Sequence, residues 1–339
     1  MINIYVGPAV GNVINLHALE GPGAQVLRQH HLPRWRQGGL TAAVMQIADW
    51  ATIGMLVSEV HRSEGEITLC KTRADYDNRP DGSFGLFFSV EGYQSFAGDF
   101  DAIHLFAELG ATAYTFSHNA QNLLCTGAGD RIGDGGFTHL GKATLEYLEQ
   151  VPLIVDLVHT SRAAFWDALG IYSGDILVSH SNADAVCSHP RNLTDDQIKA
   201  VAERNGVIGI NSYRGYVAAD PYKATLSDLL DHAVHMVELI GPEHVALGND
   251  FWEGPMDILD NTMAGIDPDG SLGLQGSGAL YATGPEGFED ISKLGKVIAG
   301  LSERGLSQSD LDWVTGGSYL ALLERSRPST STTGTESAA

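Results

Sequence analysis

Six residues with metal-binding side chains recur in one setting, at the end of short apolar runs. They are His17, Glu91, His118, His159, His180 and Asp250. Imidazole nitrogens and carboxylate oxygens together suit a divalent transition metal such as zinc. A zinc ion with an open coordination position activates water for hydrolysis. One such histidine would indicate only a structural hydrogen bond, but six residues in phase predict a metal site.

The apolar runs that carry these residues predict the fold. They alternate with stretches of helical periodicity and span 13–17, 41–48, 84–91, 111–118, 153–159, 175–180, 206–213 and 244–250. Apolar strands that alternate with helices predict a parallel sheet covered on both faces. Eight such units in about 250 residues predict an α/β fold, a single-domain (β/α)8 TIM barrel. The active site of such a barrel lies at the C-terminal ends of its strands, so the six residues should converge.

The domain organisation follows from the same pattern. Residues 1–326 are predicted to form the barrel, and the Ser/Thr-rich residues 327–339 a disordered C-terminal tail. Residues 252–287 form a long Gly- and Asp-rich loop, which could be a lid over the site or a surface insertion. Helices are predicted over 99–110, 193–206, 225–241, 288–305 and 307–326.

Composition narrows the possible partners. The formal net charge of −22 argues against nucleic acid and anionic membranes as partners. The sequence shows neither a signal-peptide pattern nor an apolar run of transmembrane length, so we expect a cytoplasmic protein. Cys70, Cys125 and Cys187 lie far apart without a C-x-x-C spacing, which predicts free thiols.

Glu91, Asp250 and Tyr213 are given roles from their positions in the predicted barrel. Glu91 ends an inner strand and precedes Gly92, where a carboxylate can bridge two metal ions. Asp250 lies across the barrel and could shuttle a proton to a leaving amine. Tyr213, near the end of the seventh run beside Asn211, is a candidate substrate-binding residue.

Three further residues leave alternatives open. Arg191, after the sixth run, could clamp a substrate carboxylate or form a salt bridge to Asp195 or Asp196. His118 could be a metal ligand, an oxyanion donor or a residue further from the metal. Asp156 lies inside the fifth run, where its side chain could point into the barrel or away from it.

The segments around these residues resemble the membrane dipeptidase family (renal dipeptidase-like, peptidase family M19) of amidohydrolase-type metal-dependent hydrolases. The resemblance covers most of the chain and is strongest from Phe84 to Leu323. It is carried by "SVEG", "TFSHNAQN", "VDLVHTS", "LVSHSNADAVCSHPRNLTDDQI", "LGNDFWEG", "EGFEDISKL" and "GGSYL". The resemblance implies zinc as the cofactor, a small dipeptide-like substrate and a homodimer.

The resemblance also implies metal ligands. Glu91 matches a glutamate that bridges two zinc ions in the family. His159 and His180 match the histidines that complete one zinc site, and His17 matches a histidine of the other.

The remaining roles that the resemblance implies concern the substrate. His118 matches a histidine that contacts the substrate and helps polarise the scissile carbonyl. Arg191 matches the arginine that binds the substrate carboxylate, and Asp250 matches the aspartate that handles the proton.

The opening motif departs from the family pattern Asp-Gly-His-x-Asp. This chain has Asn15, Leu16, His17, Ala18 and Leu19 in that order, so both aspartates are absent. Leucine cannot bind zinc, and the site that includes His17 has therefore lost a ligand. The next residue is a glutamate, Glu20, which strand alternation would direct elsewhere unless the chain turns after the histidine.

We therefore expect hydrolysis of a dipeptide or dipeptide-like amide bond by metal-activated water. The altered first metal site suggests a specialised pathway enzyme with one zinc ion or an altered pair. Two alternatives remain: a lyase or transferase reaction on the same barrel, and a non-catalytic relative that binds a ligand.

Overall fold

A computed structural model describes residues 4–5, 21, 23–47, 50–91, 98–130, 133–251 and 283–327. Several predicted features lie outside these residues. They are the first predicted strand (13–17) with His17, most of the 252–287 loop, and the tail beyond Arg327.

Within the described residues, nine parallel strands form one sheet. They are β1 (Ile4–Tyr5), β2 (Ala42–Ile47), β3 (Ile67–Leu69), β4 (Phe84–Val90), β5 (Ala111–Thr115), β6 (Ile154–Asp156), β7 (Ile176–Ser181), β8 (Val207–Ile210) and β9 (Val245–Leu247). From β4 to β9 each strand pairs with the next, β9 pairs with β1, β1 with β2, and β2 with β4. These pairings close a ring of eight strands, which confirms the (β/α)8 barrel.

Strand β1 (Ile4–Tyr5) was not predicted, and it holds the ring position between β9 and β2 that was expected of residues 13–17. Strand β3 was not predicted from the sequence either. It has three residues and pairs with the first half of β4, on the edge that β5 occupies further along. A run this short carries too little apolar alternation to be recognised as a strand. It adds a ninth strand beside the ring without changing the barrel.

Several predicted strands extend too far at their C-terminal ends. β5 ends at Thr115, β6 at Asp156 and β9 at Leu247, so His118, His159 and Asp250 lie in the loops beyond them. Apolar residues continue past the last ladder hydrogen bond, and the sequence pattern does not show where pairing stops. These three site residues are therefore held by loops that leave the strands, whereas His180 lies within β7.

The helices that cover the barrel are described over the following ranges. They are α1 (Leu32–Gln37), α2 (Trp50–Arg62), α3 (Arg73–Asp77), α4 (Phe100–Leu109), α5 (His139–Leu148), α6 (Arg162–Ile171), α7 (Asp195–Glu203), α8 (Arg214–Val217), α9 (Leu226–Ile240), α10 (Leu294–Glu303), α11 (Gln308–Asp312) and α12 (Ser318–Ser326). Predicted helix starts are confirmed where Asp99, Thr194 and Thr225 cap α4, α7 and α9. The last predicted helix is interrupted by a π-helical segment, Trp313–Gly317, where Gly316 has a φ of 150°.

The C-terminal helix closes the end of the barrel opposite the predicted site. Tyr319 on α12 packs edge-on against Phe87 inside the barrel, with ring centroids 5.7 Å apart. Its hydroxyl donates to Thr112 Oγ1 at 3.0 Å, near the start of β5. Arg327, the last described residue, donates to the carbonyl of Ala111. The polar side chains of the site therefore lie at the other, C-terminal end of the strands.

Two observations concern the chain as a whole. No helix in the described part of the chain is both long and apolar enough to cross a membrane. Cys70, Cys125 and Cys187 are all buried free thiols, as their spacing predicts.

Candidate metal centre

Four predicted site residues meet at the mouth of the barrel. Glu91, His118 and His159 each offer a ligand atom, and these atoms all lie within 4.8 Å of one another. His159 is central, with its Nε2 3.3 Å from Glu91 Oε1 and 3.0 Å from His180 Nε2. The His118 ring stacks on the His159 ring with centroids 4.4 Å apart.

The spacing of these atoms fits a divalent metal. Two ligands of a tetrahedral zinc ion lie about 3.3 Å apart, given metal–ligand distances of about 2.0–2.1 Å. The Glu91–His159 and His159–His180 distances, 3.3 and 3.0 Å, are close to this value. His159 Nδ1 lies 3.1 Å from Asn119 Oδ1, which only accepts hydrogen bonds. The His159 proton is therefore on Nδ1, and the lone pair of Nε2 faces the cluster.

The charges around the cluster also suit a cation. Three largely buried carboxylates, Glu91, Asp156 and Asp250, face a single buried guanidinium, that of Arg191. Burial raises the pKa of Glu91 well above its usual value, and the charges of Asp250 and Asp156 raise it further. Such an excess of buried negative charge is costly unless a cation compensates it.

The same buried environment also changes the pKa values of the other two carboxylates, those of Asp250 and Asp156. Burial raises the pKa of Asp250 to about 7, although the charge of Arg191 and a hydrogen bond from Asn211 oppose the rise. Burial raises the pKa of Asp156 to about 6, and the hydrogen bond from the Ser179 side chain is the largest opposing contribution.

The clustered histidines are neutral near physiological pH. Burial lowers the pKa of His118 to about 4, and the charge of Arg191 lowers it further. Burial likewise lowers the pKa of His159 and His180 well below the usual value, again with Arg191 acting in the same direction. Neutral imidazole is the form that binds metal, so the site is prepared for one without losing a proton.

Two of the candidate residues have a strained backbone. His159 and Asp250 have φ values of 65° and 58°, in the left-handed region that non-glycine residues rarely adopt. Such a conformation costs about 1–3 kcal/mol and persists where surrounding structure enforces it, often at functional sites. Here it turns both side chains out of the strand direction and into the barrel mouth.

Arg191 is a buried cation that forms no ion pair with any described carboxylate. Arg191 is only 5% exposed, and its Nη2 donates to the His180 carbonyl at 3.4 Å. Its guanidinium carbon lies 5.2 Å from the centre of the Tyr216 ring, and its Nε has no hydrogen-bond partner within the described ranges. Among the described residues no carboxylate lies within salt-bridge distance of it, and Asp195 pairs with His235 instead. The alternative salt bridge to Asp195 or Asp196 is therefore absent.

Tyr213 and Asp250 are connected through Asn211. The Asn211 side chain donates from Nδ2 to Asp250 Oδ2 at 3.2 Å and accepts from the Tyr213 backbone N–H at 2.6 Å. Asp250 Oδ2 also lies 4.0 Å from His180 Nε2. The Tyr213 ring packs edge-on against Tyr216, the aromatic ring below Arg191, with centroids 4.6 Å apart. Tyr213 thus borders the Arg191 side of the site.

Sequence reasoning missed the residues that orient these groups. Asn119 follows His118 directly, and Ser179 precedes His180, but neither neighbour shows which ring a side chain will contact. Asn211 was noticed at a strand end without a role. Tyr216 lies in the short helix α8 and gave no signal at all.

A cavity of about 390 Å³ lies between the loops that follow β5, β6 and β7, and its described lining contains none of the cluster residues. Its walls include Ser161 and Arg162, just beyond His159, and Asp184 and His189, just before Arg191. A volume of this size suits a small organic ligand. The candidate site thus combines a cluster of possible metal ligands and a buried cation, and the cavity lies among neighbouring loops.

The fold and site define a class, the (β/α)8 barrels with a cluster of histidine and carboxylate side chains at the mouth. A sequence profile described as "Membrane dipeptidase (Peptidase family M19)" matches residues 36–268, more than half of the chain. The chain therefore belongs to the membrane dipeptidase family, peptidase family M19.

Two curated relatives illustrate the similarity in sequence. Dipeptidase aclJ of Aspergillus oryzae is 31% identical over 244 residues, which are 71% of this chain and 51% of that protein. An uncharacterised dipeptidase of Schizosaccharomyces pombe is 30% identical over 235 residues, 69% of this chain and 51% of that protein. The chain thus matches about half the length of these relatives.

Solved structures share the fold at low sequence identity. Dipeptidase AC, a metallopeptidase of family M19, superposes with a TM-score of 0.80 at 22% identity, covering 96% of this chain and 98% of that chain. A metallopeptidase from Rhodobacter sphaeroides, bound to a phosphinate mimic of the dipeptide L-Ala-D-Ala, has a TM-score of 0.79 at 20% identity and covers 96% and 99%.

Proposed function

We propose that this chain hydrolyses the amide bond of a dipeptide or dipeptide-like substrate at a divalent-metal centre. The observation that carries the proposal is the position of Arg191, a buried guanidinium that donates to the backbone of His180 and has no carboxylate partner among the described residues. A buried cation beside a candidate metal ligand calls for an anionic group on the substrate. Membership of the membrane dipeptidase family supports this proposal.

The metal is zinc in this proposal, held by Glu91, His159 and His180. When bound, zinc lowers the pKa of water and polarises a carbonyl oxygen. His17 is a further candidate ligand, but it lies outside the described residues, and the leucine at position 19 removes the ligand expected beside it. We therefore propose one tightly bound zinc ion and a second position that is weak or altered.

Arg191 binds the substrate carboxylate. A guanidinium forms two parallel hydrogen bonds with a carboxylate, and the Arg191 Nε has no partner in the part of the chain that the structure describes. In a dipeptide the terminal carboxylate is one residue away from the scissile amide, so anchoring it also places the carbonyl. Tyr213 and His118 border the same space, and we assign both to substrate binding.

His118 and Asp250 act on the reacting groups. His118 is neutral near physiological pH, so its ring N–H can donate to the carbonyl oxygen of the scissile bond. Asp250 has a pKa of about 7, which suits a group that accepts a proton from water and returns it to the leaving amine. The hydrogen bond from Asn211 holds the Asp250 carboxylate in place.

We further propose that the chain is a specialised pathway enzyme with a narrow substrate range. The altered His17 motif supports a narrow role, because most other positions of the site keep their chemistry. The ligand of the Rhodobacter sphaeroides structure, a mimic of L-Ala-D-Ala, makes dipeptides with a C-terminal D-residue the first compounds to test.

A matched pair of substrates tests the proposal. The purified protein, supplied with zinc, is incubated with L-Ala-D-Ala, its C-terminal amide and a panel of other dipeptides. We expect cleavage of at least one free dipeptide and a large preference for it over its amide. Equal cleavage of acid and amide would contradict the role of Arg191. Zinc binding without any dipeptide cleavage would favour a lyase, a transferase or a non-catalytic relative.

A further inference from the structure

The ring of Tyr216 packs against three side chains on the Arg191 side of the site. Tyr216 belongs to the short helix α8 and is only 8% exposed. The guanidinium carbon of Arg191 lies over this ring, 5.2 Å from its centre. The Tyr213 ring packs edge-on against it with centroids 4.6 Å apart, and the His189 ring is tilted against it with centroids 4.7 Å apart. The buried guanidinium thus lies on an aromatic ring that two further rings hold in place.

The backbone of Tyr216 is connected to the loop that carries Arg191. The Tyr216 carbonyl accepts from Asn192 Nδ2 at 2.9 Å and from Asn182 Nδ2 at 3.4 Å. Asn192 directly follows Arg191 in the chain, and the backbone N–H of Arg191 donates to His189 Nδ1 at 3.1 Å. Residues on both sides of Arg191 therefore contact Tyr216, which fixes the ring relative to the guanidinium.

We propose that Tyr216 is a positioning residue that holds the Arg191 guanidinium where it binds the substrate carboxylate. The π face of an aromatic ring attracts a cation within about 6 Å of its centre, and the attraction is stronger when the pair is desolvated. Tyr216 acts on the substrate through Arg191. The inference rests on the proposed function and deepens it, because it names the group that keeps the carboxylate-binding side chain in place.

An aromatic ring suits this role better than a carboxylate does. A carboxylate beside Arg191 would occupy the N–H donors, and a substrate carboxylate would have to displace it. A ring attracts the guanidinium through its π face and leaves the in-plane N–H donors available. In the described part of the chain the Arg191 Nε indeed has no hydrogen-bond partner. Tyr216 thus offsets part of the cost of burying the cation and leaves donors for the substrate.

Steady-state kinetics of the full-length, zinc-supplied chain test this role, with L-Ala-D-Ala and its C-terminal amide as probes. Tyr216→Leu removes the ring, and we expect KM for the free dipeptide to rise about 5–30-fold. The kcat for this dipeptide, and the kcat/KM for the amide, should stay near the wild-type values. Tyr216→Phe keeps the ring and should have a KM for the free dipeptide close to that of the wild type.

Pentafluorophenylalanine in place of Tyr216 tests the π face without removing the ring. Its fluorine atoms withdraw electrons and abolish the negative face that attracts a cation, whereas the ring still fills the space. We expect KM for the free dipeptide to exceed that of Tyr216→Phe. This comparison decides the proposal even if Tyr216→Leu does not fold.

Tyr172→Leu is the matched control, because Tyr172 is a similarly buried tyrosine away from the site. It is 6% exposed and lies between α6 and β7, at the end of the barrel opposite the candidate metal centre. Its replacement should lower the melting temperature, because a buried ring is lost. The ratio of the kcat/KM values for acid and amide should stay at the wild-type value.

A measurement without turnover tests the contact itself. The Nε–H signal of Arg191, identified by its loss in Arg191→Met, is followed by proton–nitrogen NMR of the metal-free protein. The ring current of Tyr216 should shift this signal, so it should move in Tyr216→Leu. It should keep its position in Tyr172→Leu and nearly so in Tyr216→Phe.

Four results would overturn the positioning role. They are an equal effect of Tyr216→Leu on acid and amide, a Tyr216→Phe variant as impaired as Tyr216→Leu, a fluorinated ring that behaves like that of Tyr216→Phe, and an Arg191 signal that Tyr216→Leu does not move. A wild-type protein that cleaves no dipeptide would overturn the proposed function, which is a different outcome. The NMR comparison would then still decide whether Tyr216 positions Arg191.

Discussion

The Nε2 atoms of His159 and His180 lie 3.0 Å apart at the mouth of the barrel, although the two residues are 21 positions apart in the chain. His159 reaches this position from a loop with a φ of 65°, and His180 from within β7. The Nδ1 atom of His159 contacts Asn119, and the Nδ1 atom of His180 contacts Ser179. Both rings are neutral, and their Nε2 atoms point toward the same position. They form the core of the proposed metal centre.

Replacement of Arg191 should weaken the binding of substrates with a free C-terminal carboxylate more than that of their amides. Arg191→Met keeps the side-chain volume but removes two charge-assisted hydrogen bonds, which should raise KM about 10–100-fold for a free dipeptide. The C-terminal amide of the same dipeptide should show little change. Steady-state kinetics on the two substrates measure this.

Arg162→Met is the control for the Arg191 variant. Arg162 borders the adjacent cavity but is about half exposed, and its ion pair with Asp184 spans 3.3 Å. An exposed ion pair contributes little, so kinetics should stay close to those of the wild type. If Arg191→Met affected acid and amide substrates alike, the carboxylate-binding role would be wrong.

Replacement of Asp250 should slow the reaction without removing the metal. Asp250→Asn keeps the shape of the side chain but can no longer accept a proton, so kcat should fall about 10²–10⁴-fold. Zinc content, measured by elemental analysis, should match that of the wild type. A variant that loses zinc in proportion to its activity would instead make Asp250 a ligand.

Replacement of Leu19 by the aspartate of the family pattern should increase the number of zinc ions bound per chain. The resemblance places an aspartate where this chain has leucine at position 19, so Leu19→Asp should raise zinc content toward about two ions per chain. Dipeptide hydrolysis should rise with it if the missing ligand limits the reaction. Leu19→Asn, which lacks the charge, is the matched control. An unchanged zinc content in Leu19→Asp would show that position 19 does not face the metal.

His232 should make the stability of the fold depend on pH. Its Nδ1 accepts from the Ala183 N–H at 3.1 Å, and its Nε2 donates to the Val217 carbonyl at 3.0 Å. These two partners require the neutral ring, and burial lowers the pKa of His232 below its usual 6.5. The unfolded chain therefore binds the proton first. The stabilisation is complete above pH 6.5 and is lost as the pH falls toward the lower folded pKa.

Urea unfolding from about pH 7.5 to about pH 5 measures this dependence. His232→Gln should lower the free energy of unfolding at the higher pH and reduce its decline toward the lower pH. The clustered histidines contribute to the decline in both proteins, so the difference between the two curves isolates His232. Parallel curves would mean that His232 does not titrate on unfolding.

Much of the fold could be predicted because its pattern is long and repetitive. Eight apolar runs alternating with helices are enough to indicate a barrel, and the helix starts at Thr194 and Thr225 follow from capping chemistry. The ends of the strands could not be predicted. Strand β6 ends at Asp156, and three residues later His159 has a positive φ, which no residue type at that position reveals.

The candidate ligands could be predicted, but their supporting residues could not. Glu91 and His180 stand at the ends of apolar runs, where a barrel places chemistry. Asn119 contacts the ring of His159, which lies 40 positions away in the chain. Contacts of that kind depend on the distance between loops in three dimensions, and sequence spacing carries no information on it.

The most direct test of the single-zinc proposal is a reconstitution titration. The protein is stripped of metal with a chelator, zinc is added in steps, and hydrolysis of the best dipeptide substrate is measured after each step. The proposed centre of Glu91, His159 and His180 predicts activity that rises linearly and reaches its plateau at about one zinc ion per chain. A plateau only at about two ions, or no hydrolysis at any zinc concentration, would contradict it.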